Sequence, residues 1–340
     1  MLSNPVPARA DVWRDRQWYF PEMRLEQAQQ LGKGGAGVTV AVIDTGVDTR
    51  HRDLRGATVP GWVVTRNEPS DDVDTGPHGT GIATLIAGRG HGSGRGLLGV
   101  APRSKVMPIR PVNDDLLISN GIKWAVEHGA KVVNMSFDLE SDQVLADAIA
   151  EAYANDVVLV ASAGNGGGGV VEPAAFPHVI AVGSVGRDNR IASFSNRGPE
   201  VDLVTYGVSI PVARPGGKYA VSNGTSLSSA LVAGGVALIR ARYPDMRAEE
   251  VVDRLLSTAV DRGAGGRDDR YGEGQMDLIA ALTAPRAGKS APPSPGPARN
   301  TATASSTDDS GVPPLLIVGV GVLVFVAGLA FFMVVRTRRR

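Results

Sequence analysis

The sequence predicts an α/β protein built on a doubly wound, mostly parallel sheet. Short runs of β-branched and apolar residues alternate along the chain with amphipathic segments of helical period. The runs are continuously apolar, which is typical of strands that helices cover on both faces of a sheet. In such a sheet, functional residues gather at the carboxyl ends of the strands.

Each predicted strand is short and lies next to a predicted helix in the chain. The first strand reads GVTVAVID, and the later ones include KVVNMS, DVVLVA and HVIAVGSV. The strands are expected at 37–44, 105–110, 131–136, 156–161 and 178–185, and the helices at 78–88, 115–128, 141–155, 226–242 and 247–259.

Composition limits the classes of function. The chain has 340 residues, of which 43% are hydrophobic and 21% are charged, so it is long enough for one large globular domain with appendages. The 35 Lys and Arg balance the 35 Asp and Glu, which gives no electrostatic reason to expect nucleic acid as a partner. The absence of cysteine excludes disulfides, cysteine-ligated metal sites and thiol nucleophiles.

The C-terminal part of the chain predicts a membrane anchor. Leu315–Val335 contains no charged residue, and a helix of this length reaches about 31 Å, which matches the bilayer core. Four arginines follow it, so the positive-inside rule places the tail in the cytoplasm and the body outside. The predicted organisation is an N-terminal extension (1–33), a globular body (34–283), a linker rich in Pro, Ala, Ser and Thr (284–311), a transmembrane helix (312–335) and a basic tail (336–340).

The N-terminal extension raises two expectations. Its aromatic residues, Trp13, Trp18, Tyr19 and Phe20, predict that it packs onto the body. A body outside the membrane needs an export signal, but the first residues lack an apolar core. We hypothesise that a signal peptide lies upstream of the stated start, and the small-x-small spacing of Ala8-Arg9-Ala10 fits its cleavage site; chance is the alternative.

Three polar residues at predicted strand or helix ends are candidates for catalysis. Asp44 closes the first strand, His78 stands among glycines at a helix start, and Ser226 lies in the first turn of a small-residue helix. Each has a structural alternative, because Asp forms turns and Asp, His or Ser can cap helices. Together they supply the carboxylate, base and nucleophile that serine-based acyl transfer requires.

Asn165 is the candidate for stabilising negative charge during such a reaction. It follows a predicted strand and is surrounded by glycines. Its side-chain amide and the backbone N–H of Ser226 would be the two donors to an oxyanion. A simple turn residue is the alternative.

With these residues in place, the sequence resembles the subtilisin-like serine proteases, the subtilase family. The matching stretches follow the family's order over about 250 residues. The resemblance implies a subtilisin-like fold, catalytic Asp44, His78 and Ser226, and Asn165 in the oxyanion hole. The stretches are VAVIDTGVD (40–48), HGTGIATLIAG (78–88), GVAP (99–102), VVNMS (132–136), VASAGN (160–165), EPAAFPHVIAVGSV (172–185), FSNRG (194–198) and NGTSLSSALVAG (223–234).

The same resemblance implies a substrate cleft for a protein or peptide. Its walls would be the segment Ser136, Phe137 and Asp138 and the segment Ala163 and Gly164. Asp138 departs from the family, where glycine commonly stands, so it would narrow the cleft or favour a basic substrate side chain; a solvated loop residue is the alternative. After the nucleophile, the chain has Ser-Ser-Ala where the family usually has Ala-Ala-Pro, and this change is expected to alter only the first turn of the helix.

No cofactor or metal is predicted. Calcium commonly stabilises subtilases, and Asp71, Asp72 and Asp74 form a small acidic cluster. The cluster lacks the spacing of an EF-hand, so structural calcium has no support and a solvated loop is the preferred interpretation.

A narrower resemblance is to the mycosins, membrane-anchored subtilases associated with type VII secretion in actinobacteria. It is based on RDRQWYF (14–20), the proline-rich linker and the single C-terminal span. It implies an anchored endopeptidase acting on extracytoplasmic proteins, with the cytoplasmic membrane and a type VII secretion complex as partners. The alternative is a docking component of that complex whose activity is dispensable. Mycosins typically carry disulfides, and this chain has none.

Overall fold

The predicted parallel sheet is present at the centre of the protein. The structure, a computed structural model, describes residues 12–64, 68–70, 76–111, 115–139 and 143–285. The described strands are β1 (Thr39–Ile43), β2 (Gly61–Val63), β3 (Glu68–Ser70), β4 (Arg89–His91), β5 (Arg95–Leu98), β6 (Lys105–Arg110), β7 (Val132–Met135), β8 (Val158–Ser162), β9 (Val179–Val185), β10 (Leu203–Tyr206), β11 (Ile210–Arg214) and β12 (Lys218–Ser222).

Eight of these strands form one sheet, in the spatial order β10-β9-β8-β7-β1-β6-β2-β3. All neighbouring strands are parallel except β2 and β3. Two antiparallel hairpins, β4–β5 and β11–β12, lie outside the sheet. The carboxyl ends of β1, β7 and β8, where the sequence places its candidate residues, are therefore adjacent along one edge.

Helices cover both faces of the sheet, as a doubly wound fold requires. The helices α5 and α6 pack on one face, and α4, α7, α8 and α9 belong to the core on the other. Every residue of β7, β8, β9 and β10 is buried, which explains why these runs are continuously apolar. The helices are α1 (Val12–Asp15), α2 (Tyr19–Glu22), α3 (Leu25–Leu31), α4 (Pro77–Ala87), α5 (Asp115–Glu127), α6 (Gln143–Ala154), α7 (Thr225–Arg242), α8 (Ala248–Ser257) and α9 (Leu278–Thr283).

Helix α7 is the central element of its layer. Every residue from Thr225 to Ala241 is buried, so the helix has no polar face. Its small residues allow close packing: a Cβ at Gly234 would lie 2.6 Å from the Cβ of Val100, and a Cβ at Gly235 would lie 2.6 Å from Leu278. The start of α7, which carries Ser226, is therefore held by the core of the protein.

The N-terminal extension packs onto the body, as its aromatic residues predicted. Tyr19 is fully buried, and burial raises the pKa of its hydroxyl far above the ordinary value. Trp18 meets Tyr206 edge to face at 4.9 Å between ring centroids. The Gln17 side chain donates to the carbonyl oxygen of Leu98 at 2.7 Å and accepts from the backbone N–H of Leu98 at 2.9 Å, as the backbone of an added strand would.

The predicted linker, transmembrane helix and basic tail lie outside the described residues. Within the described residues, no helix is both long and apolar enough to cross a bilayer. The membrane anchor therefore stays a prediction from the sequence.

Candidate active site

The structure brings Asp44 and His78 together. Asp44 follows β1 directly, and His78 is the second residue of α4. Two glycines make this approach possible, because a side chain at Gly79 would overlap the carbonyl oxygen of Gly46, and one at Gly76 would overlap Thr45. The glycines beside His78 in the sequence therefore let the helix start touch the strand end.

The Asp44–His78 contact fixes the state of the imidazole ring. Nδ1 of His78 lies 2.9 Å from each carboxylate oxygen of Asp44. A carboxylate only accepts hydrogen bonds, so Nδ1 carries the proton and Nε2 is left as the basic nitrogen. The Asp44 side chain is 3% exposed and also accepts a hydrogen bond of 2.7 Å from the backbone of Thr45.

Two opposing effects set the pKa of His78. Burial disfavours the charged ring and lowers the pKa, but the hydrogen bond and negative charge of Asp44 outweigh burial. The net result is a pKa above the ordinary histidine value. The His78 side chain remains 39% exposed, so solvent reaches it.

Ser226 lies at the same edge of the sheet. It is the second residue of α7 and is 9% exposed, and its hydroxyl donates to the carbonyl oxygen of Ser136 at 3.3 Å. Ser136 follows β7, and Met135 pairs with Ile43 of β1, so Ser136 and Asp44 are neighbours at adjacent strand ends. Ser226 and the Asp44–His78 pair thus lie at the same edge of the sheet.

The structural alternatives for Ser226 and His78 are wrong. The N-cap residues of α7 and α4 are Gly224 and Gly76, so neither Ser226 nor His78 caps its helix. The carbonyl oxygen of Ser226 accepts hydrogen bonds from the hydroxyls of Ser136 at 3.2 Å and Ser229 at 2.9 Å. The backbone of Ser226 is thus held by buried neighbours.

Asn165 presents donors next to this peptide. Its Oδ1 accepts from the backbone N–H of Thr225 at 2.8 Å and from the Thr225 hydroxyl at 3.1 Å. A backbone N–H only donates, so the oxygen must face Thr225 and the exposed NH₂ group points elsewhere. The N–H of Ser226, in the first turn of α7, also has no partner within the helix. Asn165 and Ser226, which carry the two donors that an oxyanion needs, are therefore linked through Thr225.

Two residues that sequence reasoning did not single out hold Asn165 in place. Thr225 binds its amide, and the Thr225 hydroxyl also accepts from the backbone of Gly164 at 3.2 Å. Asn196, which is 4% exposed, accepts from the backbones of Gly166 at 2.9 Å and Gly168 at 3.1 Å. Asn196 lies in the FSNRG stretch, which was the signal available in the sequence.

The predicted cleft residues follow two adjacent strands. Ser136, Phe137 and Asp138 follow β7, and Ala163 and Gly164 follow β8. Ser136, Ala163 and Gly164 are buried, Phe137 is half-buried and Asp138 is exposed. Both segments contact the start of α7, through the carbonyl oxygen of Ser136 and the backbone N–H of Gly164.

The Ser-Ser-Ala departure after the nucleophile forms part of a buried network. Helix α7 continues without interruption through this position. The Ser228 hydroxyl lies 2.7 Å from the Ser184 hydroxyl and donates to the carbonyl oxygen of Thr205 at 3.2 Å. The additional hydroxyls are therefore satisfied inside the core.

No metal centre is found in the described part of the chain, which contains no group of three or more His, Asp or Glu side chains arranged to hold an ion. The acidic cluster Asp71, Asp72 and Asp74 lies outside it.

Comparison with known proteins identifies the family. The family model for the subtilase family matches residues 35–274. Subtilisin DY of Bacillus licheniformis is 36% identical over 273 residues, which cover 77% of this chain and 97% of the relative. Subtilisin of Bacillus pumilus is 37% identical over 271 residues, covering 76% and 96%. The crystal structure of MycP1 with the N-terminal propeptide removed superimposes with a TM-score of 0.70 at 28% identity, covering 79% of this chain and 97% of that one. The chain therefore belongs to the subtilase family of serine proteases.

Proposed function

We propose that this protein is a membrane-anchored serine endopeptidase that hydrolyses extracytoplasmic proteins through Asp44, His78 and Ser226. The observation that supports the proposal most is the Asp44–His78 contact of 2.9 Å at the strand edge where Ser226 also lies. Family membership supports the same chemistry.

In the proposed reaction, Nε2 of His78 takes the proton of the Ser226 hydroxyl while Oγ attacks the carbonyl carbon of a peptide bond. Asp44 keeps the proton on Nδ1 and stabilises the imidazolium that forms. When the carbon–nitrogen bond breaks, His78 gives its proton to the leaving amine. Water, activated by the same ring, then releases the acyl group from Ser226.

The oxyanion is stabilised by the side-chain NH₂ of Asn165 and the N–H of Ser226. Asn165→Ala is expected to lower kcat by about 10²–10³ with little change in KM, because the lost donor acts on charge that develops in the transition state. Steady-state hydrolysis of a peptide substrate measures this effect.

Asn165→Ala also removes the acceptor for Thr225, so a second variant separates the two roles. Asn165→Asp keeps that acceptor but has no NH₂ donor. It is expected to retain the thermal stability of the unmodified protein while losing activity. Activity retained in both variants would remove Asn165 from the mechanism.

The raised pKa of His78 predicts the pH dependence. Only the neutral ring accepts a proton, so kcat/KM should rise with pH as His78 deprotonates. Because the pKa is raised, the midpoint of the acidic limb should lie above the value of about 6.5 for an unperturbed histidine. A pH–rate profile on a peptide substrate measures it, and a midpoint well below that value would contradict the proposed role of Asp44.

The proposed location outside the cytoplasmic membrane is supported by the apolar segment Leu315–Val335 and the arginines after it. The full chain should sediment with membranes, and a chain lacking 312–340 should not. Protease treatment of intact cells should cleave the body and spare a tag placed at the C-terminus.

The proposed link to type VII secretion is supported by the likeness to MycP1 and by the mycosin-like layout of the chain. The competing role is a docking component whose peptidase activity is dispensable. Secretion in cells that carry only the Ser226→Ala protein separates the two: lost secretion favours the peptidase role, and unchanged secretion favours docking.

The test of the catalytic assignment is labelling with a fluorophosphonate, which transfers phosphorus to an activated serine hydroxyl with loss of fluoride. The full chain in membranes should be labelled, and its Ser226→Ala variant should not. Equal labelling of both would contradict the assignment. Ser257→Ala is a control, since this serine is exposed at the end of α8 and its hydroxyl should not be required for labelling.

A further inference from the structure

The charges of the body are unevenly distributed, although the whole chain is neutral. Residues 75–113 contain five Lys and Arg and no Asp or Glu. Three of these cations, Arg89, Arg103 and Lys105, lie near Lys33 and Arg55, which precede β1 and β2. We call these five residues the basic edge.

One half of the basic edge surrounds Gly56. The Lys105 ammonium donates to the carbonyl oxygen of Gly56 at 2.7 Å. The Arg89 guanidinium lies over the same glycine, with Nη1 3.1 Å from where a Cβ would stand, and it donates to Pro102 at 3.0 Å. Arg55 is the residue before Gly56 and is exposed. The Lys105 and Arg89 side chains thus meet at Gly56, next to Arg55 in the chain.

The other half lies at the start of β1. The Arg103 side chain packs against Gly34, with Cγ 2.9 Å from where a Cβ would stand, and its backbone N–H donates to the Gly34 carbonyl at 2.7 Å. Lys33 is adjacent to Gly34 in the chain and is exposed. Glu26 lines the groove beside Lys33 and Arg103. Pro102 and Arg103 are consecutive, so the two halves are continuous.

The basic edge has little neutralisation from within the protein. In the part of the chain that the structure describes, none of its five side chains forms an ion pair with a carboxylate. Asp53, close to Arg55 in sequence, is fully buried and is bonded by His91 at 2.6 Å and Tyr219 at 2.9 Å. The charges of the exposed cations are therefore available to an anionic partner outside the protein.

The body's last described residues lie on the same side as the basic edge. Helix α7 starts at the carboxyl edge of the sheet, where Asp44 lies, and runs for about 27 Å to the side where the strands begin. There the Tyr243 hydroxyl donates to the carbonyl oxygen of Leu282 in α9 at 2.6 Å. Arg242 donates to the carbonyl oxygen of Leu31 at 3.0 Å, two residues before Lys33. The chain thus leaves the body beside the basic edge and away from Ser226.

We propose that the basic edge binds the anionic headgroups of the membrane that anchors the chain, so that the substrate cleft faces away from the bilayer. This inference rests on the proposed membrane anchor. A random-coil chain as long as the linker predicted from the sequence would span about 30 Å, which would keep the body close to the lipid surface.

The test uses the soluble body, residues 1–285. The described core clusters and the region that matches the subtilase family model both lie within it. The body should co-sediment with vesicles of equal parts phosphatidylglycerol and phosphatidylcholine, and not with vesicles of phosphatidylcholine alone. Binding should weaken in high salt, which screens surface charge.

A matched pair of variants locates the surface. Lys33, Arg55 and Arg103 make no side-chain hydrogen bond in the described structure, so replacing all three with Gln should leave the fold intact. Each lost cation should weaken binding by about fivefold, so the triple variant should bind anionic vesicles on the order of 100-fold more weakly. The control replaces Arg190, Arg197 and Arg270 with Gln, which removes the same charge near β9 and β10, and it should bind like the unmodified body.

Three outcomes would overturn the proposal: no binding to anionic vesicles, equal binding to neutral vesicles, or equal losses in the two triple variants. The first of these would direct attention to an acidic protein as the partner of the basic edge. Sedimentation of the full chain with or without 312–340 tests the anchor separately. Fluorophosphonate labelling of the Lys33/Arg55/Arg103 variant tests the peptidase, and it should equal that of the unmodified protein.

Discussion

His78→Ala is expected to lower kcat for peptide hydrolysis by about 10⁶ while leaving the protein folded. The ring supplies the base for Ser226 and the acid for the leaving amine, so its loss disables both halves of the reaction. No other described histidine contacts Asp44. The substitution removes a partly exposed side chain, so the core is unaffected.

His128→Ala is the control for this variant. His128 is exposed and directly follows α5, where its ring stacks on Trp124 at 3.8 Å between centroids. It lies away from the strand edge that carries Asp44. Its replacement should leave kcat unchanged. Activity in the His78 variant within tenfold of the unmodified protein would show that another group serves as the base.

Asp44→Asn is expected to lower kcat by about 10⁴ with the geometry preserved. An amide NH₂ facing Nδ1 would donate to it, which moves the ring's proton to Nε2, the nitrogen that must accept from Ser226. The loss therefore comes from the wrong tautomer. Thermal unfolding should show a small change, since the amide oxygen still accepts from the Thr45 backbone.

The pH profile of this variant gives an independent readout. The hydrogen bond and charge of Asp44 raise the pKa of His78, so without them the remaining effect of burial should bring the pKa down. The acidic limb of the residual activity should then move to lower pH. A limb that stays in place would mean that Asp44 does not control the protonation of His78.

The candidate catalytic residues could be singled out from the sequence because the proposed chemistry constrains their type and their place. Asp44, His78 and Asn165 each stand beside glycines at the ends of regular elements, where a polar side chain has room to meet a ligand. The structure joins Asp44 to His78 and places Ser226 and Asn165 at the same edge. The parallel strands were predictable for the same reason, since burial on both faces requires continuous apolar runs.

Other parts of the fold have no comparable local signal. The hairpins β4–β5 and β11–β12 are held by contacts with distant residues, such as the bond from Arg52 to Gly217 at 3.0 Å. The role of Thr225 depends on the loop after β8, which is sixty positions away in the chain. Asn196 also acts across the fold on the backbone near Asn165. Such pairings follow from tertiary structure and not from the residues' own neighbours.

The complete burial of α7 has a consequence for how the protein loses activity on heating. Peripheral segments of many proteins open and close independently of the core, and sites built on them lose function before the fold is lost. Ser226 is carried by a helix that is enclosed from Thr225 to Ala241. Displacing the nucleophile therefore requires the core to open. Thermal inactivation and global unfolding should accordingly be one cooperative event, and backbone amides of α7 should be among the last to exchange with solvent.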